Sequence, residues 1–232
     1  MGKIDDALHK TDYSFPITDF TDPDSPLAES YRTLRTNIQR QSRSKPIRSI
    51  LVASAARGEG RTQTVANLAV ILAALEGNRT LLIDGDLRDP KIHEIFDVEK
   101  TPGLSDLLQG TIGVEEVIKT TRIGNLKVIP SGHVLQGSAE LLHSPRLREA
   151  IESLKPKFDM VLFDSPPVIP FTDSVILASN VDGVILVVRA RETRREVIRR
   201  AKDLLNKSED KFLGVVLNSV EYVIPRPIYE KL

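Results

Sequence analysis

Six short apolar runs recur along the chain after residue 46, and they constrain the fold more than any other feature of the sequence. Each is rich in Val, Ile and Leu and lacks strict alternation of apolar and polar residues. Runs of this kind are typical of parallel strands whose two faces are both covered by helices. The predicted strands are 50–52, 80–83, 126–129, 160–163, 184–188 and 212–217.

Stretches with helical periodicity precede and separate these runs. They lie at 27–41, 62–75, 139–154, 172–178 and 193–205. In the last one, Thr193 and Glu196 have the spacing of a capping box, which predicts a helix start there. Strand and helix in alternation predict an α/β fold with a doubly wound, mostly parallel sheet, in which ligands bind at the carboxyl ends of the strands.

The sequence predicts one domain, 27–218, between two flanking segments. Residues 1–26 are rich in Asp, Thr, Ser and Pro, which indicates an extended arm rather than core. Ser25-Pro26 then opens the first helix, with Pro in the first turn. Residues 219–232 form a tail that we expect to be mobile.

Composition excludes several classes of function. The 32 basic and 32 acidic residues give a net charge of zero, which argues against a general nucleic-acid binder. The absence of cysteine excludes a disulfide framework and a thiol nucleophile. No run approaches the roughly 18–20 apolar residues that cross a bilayer, and the first residues lack the apolar core of a signal peptide. We therefore expect a soluble, cytoplasmic protein.

A glycine-rich segment, 54–64, follows the first predicted strand and leads into a helix. Gly58 and Gly60 allow backbone N–H groups to turn inward, and the helix beginning near Thr62 adds its positive end. The order matches a nucleotide P-loop, except that Arg61 stands at the lysine position and Ala55 at the first glycine position. Phosphate binding and an ordinary strand-to-helix turn both explain this segment taken alone.

Carboxylates follow two further predicted strands. Asp84 and Asp86, two residues apart at a strand end, are expected to point the same way and to repel unless a cation or a proton lies between them. Asp164 ends a run of four apolar residues, as does a Walker B carboxylate that holds hydrated Mg²⁺. A solvated turn also explains Asp84 and Asp86, and a strand that simply stops at a polar residue also explains Asp164. A phosphate cradle beside acidic strand ends in one sheet favours a site for a nucleotide and Mg²⁺.

Three segments together resemble the bacterial tyrosine kinases, the capsular and exopolysaccharide autokinases related to the MinD/ParA P-loop ATPases. They are Gly58-Glu59-Gly60 with Asn67-Leu68-Ala69, Asp84-Gly85-Asp86-Leu87-Arg88-Asp89-Pro90, and Asp164-Ser165-Pro166-Pro167. The resemblance extends from about residue 1 to 218. It implies a stand-alone cytoplasmic kinase that transfers phosphate from ATP to tyrosines of its own chain and helps control polysaccharide synthesis or export.

The resemblance also implies a role for each matching residue. It places the nucleotide against the loop and the end of the last strand: Gly58, Glu59, Gly60, Arg61, Thr62, Gln63 and Asn218. It implies that Thr62, Asp84 and Asp164 hold Mg²⁺. The implied catalytic residues are Arg61, Asp84 and Asp86, with Asp86 accepting the proton of the attacking tyrosine hydroxyl.

Partners follow from the same resemblance. Glu29, Arg32 and Arg35 look like the contact that assembles copies of such kinases into a ring, although a plain charged helix surface also explains them. A separate transmembrane activator of the chain-length-determinant type would recruit the protein to the inner face of the membrane. Tyr222 and Tyr229 in the tail would be the sites of autophosphorylation.

Three departures from the family pattern keep other functions open. Arg61 replaces a lysine, Gln63 replaces a usual hydroxyl residue, and the tail holds two tyrosines where the family has a dense cluster. A planar guanidinium is a poor substitute for a point charge that follows the migrating phosphoryl group. The alternatives are a non-catalytic nucleotide-binding scaffold of the export machinery and a MinD/ParA-type ATPase. The signatures Arg88-x-Pro90 and Pro166-Pro167 speak against the latter.

Overall fold

The computed structural model describes residues 25–133, 137–205 and 211–220. Within these ranges a single sheet contains seven strands: β1 (Ser49–Ser54), β2 (Thr80–Asp84), β3 (Lys119–Thr120), β4 (Leu126–Ile129), β5 (Met160–Asp164), β6 (Gly183–Arg189) and β7 (Phe212–Asn218). The strand order is β3-β4-β2-β5-β1-β6-β7. All neighbouring strands are parallel except β3 and β4.

Helices cover both faces of this sheet. They are α1 (Pro26–Gln41), α2 (Arg61–Ala73), α3 (Ile92–Ile95), α4 (Leu104–Gln109), α5 (Val114–Val117), α6 (Ser138–Leu142), α7 (Pro145–Leu154), α8 (Asp173–Asn180) and α9 (Arg195–Leu205). No helix in the described ranges is long and apolar enough to cross a membrane.

The sheet confirms the predicted doubly wound α/β fold. Each of the six predicted runs lies within a strand, and the two-residue strand β3 has no apolar pattern that could have announced it. The predicted helix at 139–154 is wrong as one piece. Pro145 begins a new helix there, capped by the Ser144 hydroxyl, which accepts a hydrogen bond from the Arg146 amide at 3.3 Å.

The start of α1 agrees with the sequence. The Ser25 hydroxyl accepts a hydrogen bond from the Ala28 amide at 3.4 Å, and Pro26 is the first helical residue. Residues 1–24 and 221–232 lie outside the described ranges, so the arm, the tail and the domain boundaries stay predictions.

Two apolar layers sandwich the sheet because successive side chains of a strand point to opposite faces. In β1, Leu51 and Ala53 join one layer while Ile50 and Val52 join the other. Helix α2 lies in the second layer and is buried nearly all round, since α1 covers its outer side with Tyr31 and Ile38.

The strand order determines where a ligand site can form. Strands β2, β5 and β1 lie side by side at the centre, so their carboxyl ends share one edge of the sheet. Asp84 is the register partner of Asp164, and the glycine-rich loop leaves the end of β1 next to them. The crevice at this edge is where open α/β sheets bind ligands.

Candidate functional site

The loop between β1 and α2 has the backbone of an anion cradle. Gly58 and Gly60 adopt φ values of 78° and 82°, which side chains with a Cβ disfavour. The first helical hydrogen bond runs from the Thr64 amide to the Gly60 carbonyl at 2.9 Å. The amides before Thr64 are therefore directed out of the helix end, where the dipole favours negative charge.

Arg61 starts α2, and its buried side chain crosses the carboxyl ends of the central strands. Its Nε donates to Asp164 Oδ1 at 2.6 Å, and its Nη2 donates to Asp86 Oδ2 at 2.9 Å. The same Nη2 lies 3.2 Å from Thr62 Oγ1. Burial alone would lower the pKa of Arg61, but Asp164 and Asp86 outweigh it and raise that pKa. A fixed positive charge thus lies at the centre of the site.

Both carboxylate oxygens of Asp164 are engaged. Thr62 Oγ1 donates to Asp164 Oδ2 at 2.7 Å, while Asp164 Oδ1 accepts the hydrogen bond from Arg61. Asp164 is 1% exposed, so water does not compete for these contacts. The structure therefore brings together three of the predicted site residues at the mouth of the loop.

Asp86 faces the same centre. Its Oδ1 accepts hydrogen bonds from the Asp89 and Arg88 amides at 3.0 and 3.2 Å, which fixes the carboxylate at a tight turn after β2. Its Oδ2 points to Arg61. Burial raises the pKa of Asp86 although Arg61 opposes that shift.

Asp84 takes a different direction from Asp86. Its Oδ2 accepts hydrogen bonds from the Lys91 and Ile92 amides, both at 3.1 Å, and its Oδ1 accepts one from the Asp86 amide at 3.3 Å. Burial, with the nearby Asp164 carboxylate, raises the pKa of Asp84 well above its usual range. The expected parallel pair of carboxylates around one cation is not formed, because β2 ends at Asp84 and strand alternation no longer governs Asp86.

The donors present suit Mg²⁺ only in part. Thr62 Oγ1 and the Asp164 carboxylate are oxygen ligands of the kind Mg²⁺ prefers. In the described ranges, however, no group of three or more His, Cys, Asp or Glu side chains is arranged to hold a metal ion. The Arg61 guanidinium lies between the oxygens of Asp164 and Asp86.

Glu59 and Asn218 stabilise the loop through hydrogen bonds to its backbone. Glu59 Oε2 accepts a hydrogen bond from the Ala56 amide at 2.8 Å, and the Glu59 carbonyl accepts one from Asn218 Nδ2 at 3.0 Å. A Cβ added at Gly60 would lie 1.9 Å from Asn218 Nδ2. The contact between Asn218 and adenine stays a prediction.

Thr193 supports the loop from the other side. Its hydroxyl donates to Glu59 Oε1 and accepts a hydrogen bond from the Arg189 amide at 3.1 Å. The predicted capping box with Glu196 is therefore wrong: α9 begins at Arg195, and the Thr193 hydroxyl serves the loop. Gln63, in the first turn of α2, donates through Nε2 to Asn67 Oδ1 at 3.2 Å.

Sequence reasoning missed one functional contact at this edge. The Arg88 guanidinium forms a fork with the fully buried Asp173, with Nε and Nη2 at 2.9 and 3.2 Å from its oxygens. It also lies 4.3 Å from the centre of the Phe171 ring, and Arg57 lies 6.0 Å from that ring. Asp173 starts α8, where an acid is common at any helix N-terminus, so its sequence position carries no distinct signal.

The remaining predicted site residues lie away from this centre. Glu29 and Arg32 form an ion pair at 3.0 Å on α1, and Arg35 follows one turn after Arg32. Tyr222 and Tyr229 lie outside the described ranges.

Comparisons with known proteins find relatives over most of the chain. The sequence profile of the AAA domain family matches residues 47–210. Tyrosine-protein kinase YwqD of Bacillus subtilis (strain 168) is 38% identical over 198 residues, which are 85% of this chain and 83% of that protein.

Solved structures agree with this result. The crystal structure of the chimerical protein CapA2B2 superposes with a TM-score of 0.83 at 32% identity, over 91% of this chain and 92% of that one. The septum site-determining protein MinD from Pyrococcus horikoshii OT3, solved with Mg-ADP, superposes with a TM-score of 0.64 at 27% identity, over 79% and 76%. The fold is thus that of the MinD-like P-loop proteins.

Proposed function

Because the chain belongs to the family of bacterial protein-tyrosine kinases, we propose that it transfers the γ-phosphoryl group of ATP to tyrosines of its own chain and thereby regulates exopolysaccharide or capsule synthesis and export. Its relative YwqD is named a tyrosine-protein kinase and matches over 85% of the chain. The kinase activity belongs to the family, and we propose in addition the roles of individual residues, a bound magnesium ion and the partners.

One observation carries the assignment of roles. At the mouth of the loop, the Thr62 hydroxyl and the Asp164 and Asp86 carboxylates converge on Arg61 within 2.6–3.2 Å. An anion cradle, a buried cation and a carboxylate in one crevice are the parts that phosphoryl transfer needs, since it depends on positioning and charge neutralisation more than on covalent chemistry.

In the proposed reaction, the amides of residues 58–63 and the Arg61 guanidinium hold the phosphates. The tyrosine oxygen attacks the γ-phosphorus while its proton passes to Asp86 Oδ2, the bond to the β-phosphate oxygen breaks, and ADP leaves. Asp84 acts as a positioning residue because it anchors the turn that carries Asp86. Thr62 and Asp164 would hold Mg²⁺, which when bound neutralises phosphate charge.

The test is a phosphotyrosine assay with Mg·ATP and the cytoplasmic segment of the transmembrane activator. We expect phosphate on Tyr222 or Tyr229, and its loss in Asp86→Asn and Asp164→Ala. Asp159→Asn is the matched control, because Asp159 precedes the same strand at the opposite edge of the sheet and pairs there with Arg79. Full signal in Asp86→Asn would refute the role of Asp86 as proton acceptor.

A non-catalytic nucleotide-binding scaffold is the second candidate, and the contacts of Arg61 favour it. A guanidinium that is held by Asp164 and Asp86 is less able to follow the phosphoryl group than the shorter ammonium of lysine. If the wild type is silent with its activator and nucleotide present, the scaffold is favoured. Arg61→Lys should then raise transfer, and a silent Arg61→Lys would show that another part of the site is also deficient.

Helix α1 carries the proposed contact between copies in a ring. Glu29 and Arg32 form an ion pair there, and Arg35 Nε is buried without a hydrogen-bond partner in the described part of the chain. Light scattering should show assemblies for the wild type and monomers for the variant with alanine at these three positions. Arg40→Ala, on the last turn of the same helix, should assemble normally. Recruitment to the membrane by the activator belongs to the same proposal.

A further inference from the structure

Arg61 occupies the position between carboxylates where a metal-dependent site would hold its cation. Its Nε and Nη2 contact two different carboxylates, Asp164 and Asp86, and Nη2 also reaches the Thr62 hydroxyl. The residue is 9% exposed, so these contacts form in a nearly dry environment where charge-assisted hydrogen bonds are strong.

We infer that Arg61, held by Asp164 and Asp86, is the resident cation of this site and competes with a divalent metal ion for Asp164. The metal ion then enters only when the phosphates of a nucleotide draw the guanidinium away from the two carboxylates. This deepens the proposed function, on which the nucleotide part of the inference rests.

The hydrogen bonds that the carboxylate oxygens of Asp164 and Asp86 already accept support this competition. A metal ion needs an oxygen of Asp164, but Oδ1 accepts from Arg61 and Oδ2 accepts from Thr62. Asp86 Oδ1 is committed to two backbone amides, and its Oδ2 to Arg61. Each of these oxygens thus already accepts a hydrogen bond, and the guanidinium charge beside Asp164 Oδ1 and Asp86 Oδ2 repels a second cation at the same place.

The shape of the arginine side chain also supports the competition between Arg61 and a metal ion. A guanidinium presents Nε and Nη2 in a rigid planar fork, so one side chain bridges two carboxylates without loss of either bond. An ammonium at the same position is shorter and does not provide that fork. Arg61→Lys should therefore hold the carboxylates less firmly, and Arg61→Gln should release them.

The first experiment measures metal binding without nucleotide, by the electron paramagnetic resonance signal of free Mn²⁺. We expect weak binding by the wild type, binding at least about tenfold tighter by Arg61→Gln, and an intermediate value for Arg61→Lys. Arg79→Lys is the matched control, since Arg79 forms an exposed pair with Asp159 at the far edge of the sheet, and it should match the wild type.

Folding of the variants is checked by circular dichroism and by the thermal midpoint with and without Mn²⁺. Mn²⁺ should raise the midpoint of Arg61→Gln but not that of the wild type, because the ion replaces the lost guanidinium. Arg61→Lys keeps the charge and provides the comparison if Arg61→Gln fails to fold. Equal Mn²⁺ affinity in the wild type and the folded variants, within about twofold, would overturn the inference.

The second experiment separates this inference from the proposed function. Calorimetry with ADP, in Mg²⁺ and then in EDTA, gives the ratio of the dissociation constant in EDTA to that in Mg²⁺. This ratio should be at least about fivefold larger for Arg61→Lys than for the wild type, in which the ion must first displace the guanidinium. Equal ratios in the two proteins would contradict the competition. If no protein binds ADP while Mn²⁺ affinity still differs as expected, the proposed function fails and the competition for the carboxylates stands.

Discussion

Gly60→Ala tests how the loop is built. Gly60 has φ 82°, and a Cβ there would meet Asn218 Nδ2 at 1.9 Å. Gly77→Ala is the matched control, because Gly77 has a similar φ of 74° but no atom within 4 Å of the added carbon. The two substitutions share the backbone strain and differ in the contact with Asn218.

The expected magnitude follows from these two terms. A side chain in the left-handed region costs about 1–2 kcal/mol of the free energy of unfolding, and this applies to both variants. At Gly60 the Asn218 amide must also move and lose its 3.0 Å hydrogen bond to the Glu59 carbonyl. That loss adds about 0.5–1.5 kcal/mol. Gly60→Ala should therefore be less stable than Gly77→Ala by about 1 kcal/mol.

Urea unfolding followed by circular dichroism measures the difference, which corresponds to about 0.4 M in the midpoint for a slope of about 2.5 kcal/mol/M. In an Asn218→Ala background, Gly60→Ala should cost no more than Gly77→Ala, because the displaced amide is gone. Equal stability of Gly60→Ala and Gly77→Ala in the wild-type background would refute the reasoning.

Two further stability predictions follow. Burial tends to raise the pKa of Asp182, but the Ser49 hydroxyl and neighbouring donors outweigh burial and lower that pKa. The ionised Asp182 carboxylate therefore stabilises the fold above its unfolded-state pKa of about 3.9, and this stabilisation is lost as the pH falls through its lower folded-state pKa. Asp182→Asn should cost about 1.5–3 kcal/mol at neutral pH and flatten the fall in stability below about pH 4, as measured by urea unfolding; an unchanged acid slope would contradict this. Asp173→Asn should cost about 3 kcal/mol, because it removes the fully buried carboxylate from Arg88, whose side chain is only 35% exposed. Asp159→Asn, in an exposed pair, should cost less than about 1 kcal/mol, and equal losses would argue against the buried fork.

The fold could be predicted because strands that are buried on both faces of the sheet consist almost entirely of apolar residues. Residues 160–163 are all apolar since β5 lies between two strands and two helical layers, and the same holds for β1 and β6. Strand β3 has only two residues, lies at the edge of the sheet and needs no apolar side chains, so no apolar pattern in the sequence predicts it. The helices α3–α5 are too short for a helical period to be read.

The site could be predicted as a set of residues but not as a set of contacts. Asp84 and Asp86 look alike in the sequence, yet one binds backbone amides and the other binds Arg61, since the turn after β2 decides where each carboxylate points. Glu59 meets Thr193 across 134 positions, a separation that local patterns do not reveal. The motif located Arg61 correctly in the chain without indicating that it would join two carboxylates.

The hydrogen bonds that fix the loop between β1 and α2 have a consequence for the energetics of ligand binding. Asn218 of β7 and Thr193 of the connection before α9 both bond to Glu59 of the loop, so the loop takes its shape when the chain folds. An anion that binds there meets a preorganised loop, so binding loses little free energy to the ordering of the backbone. Capture by such a receptor is governed by diffusion and by the exchange of ionic partners inside it, rather than by a slow rearrangement of the main chain.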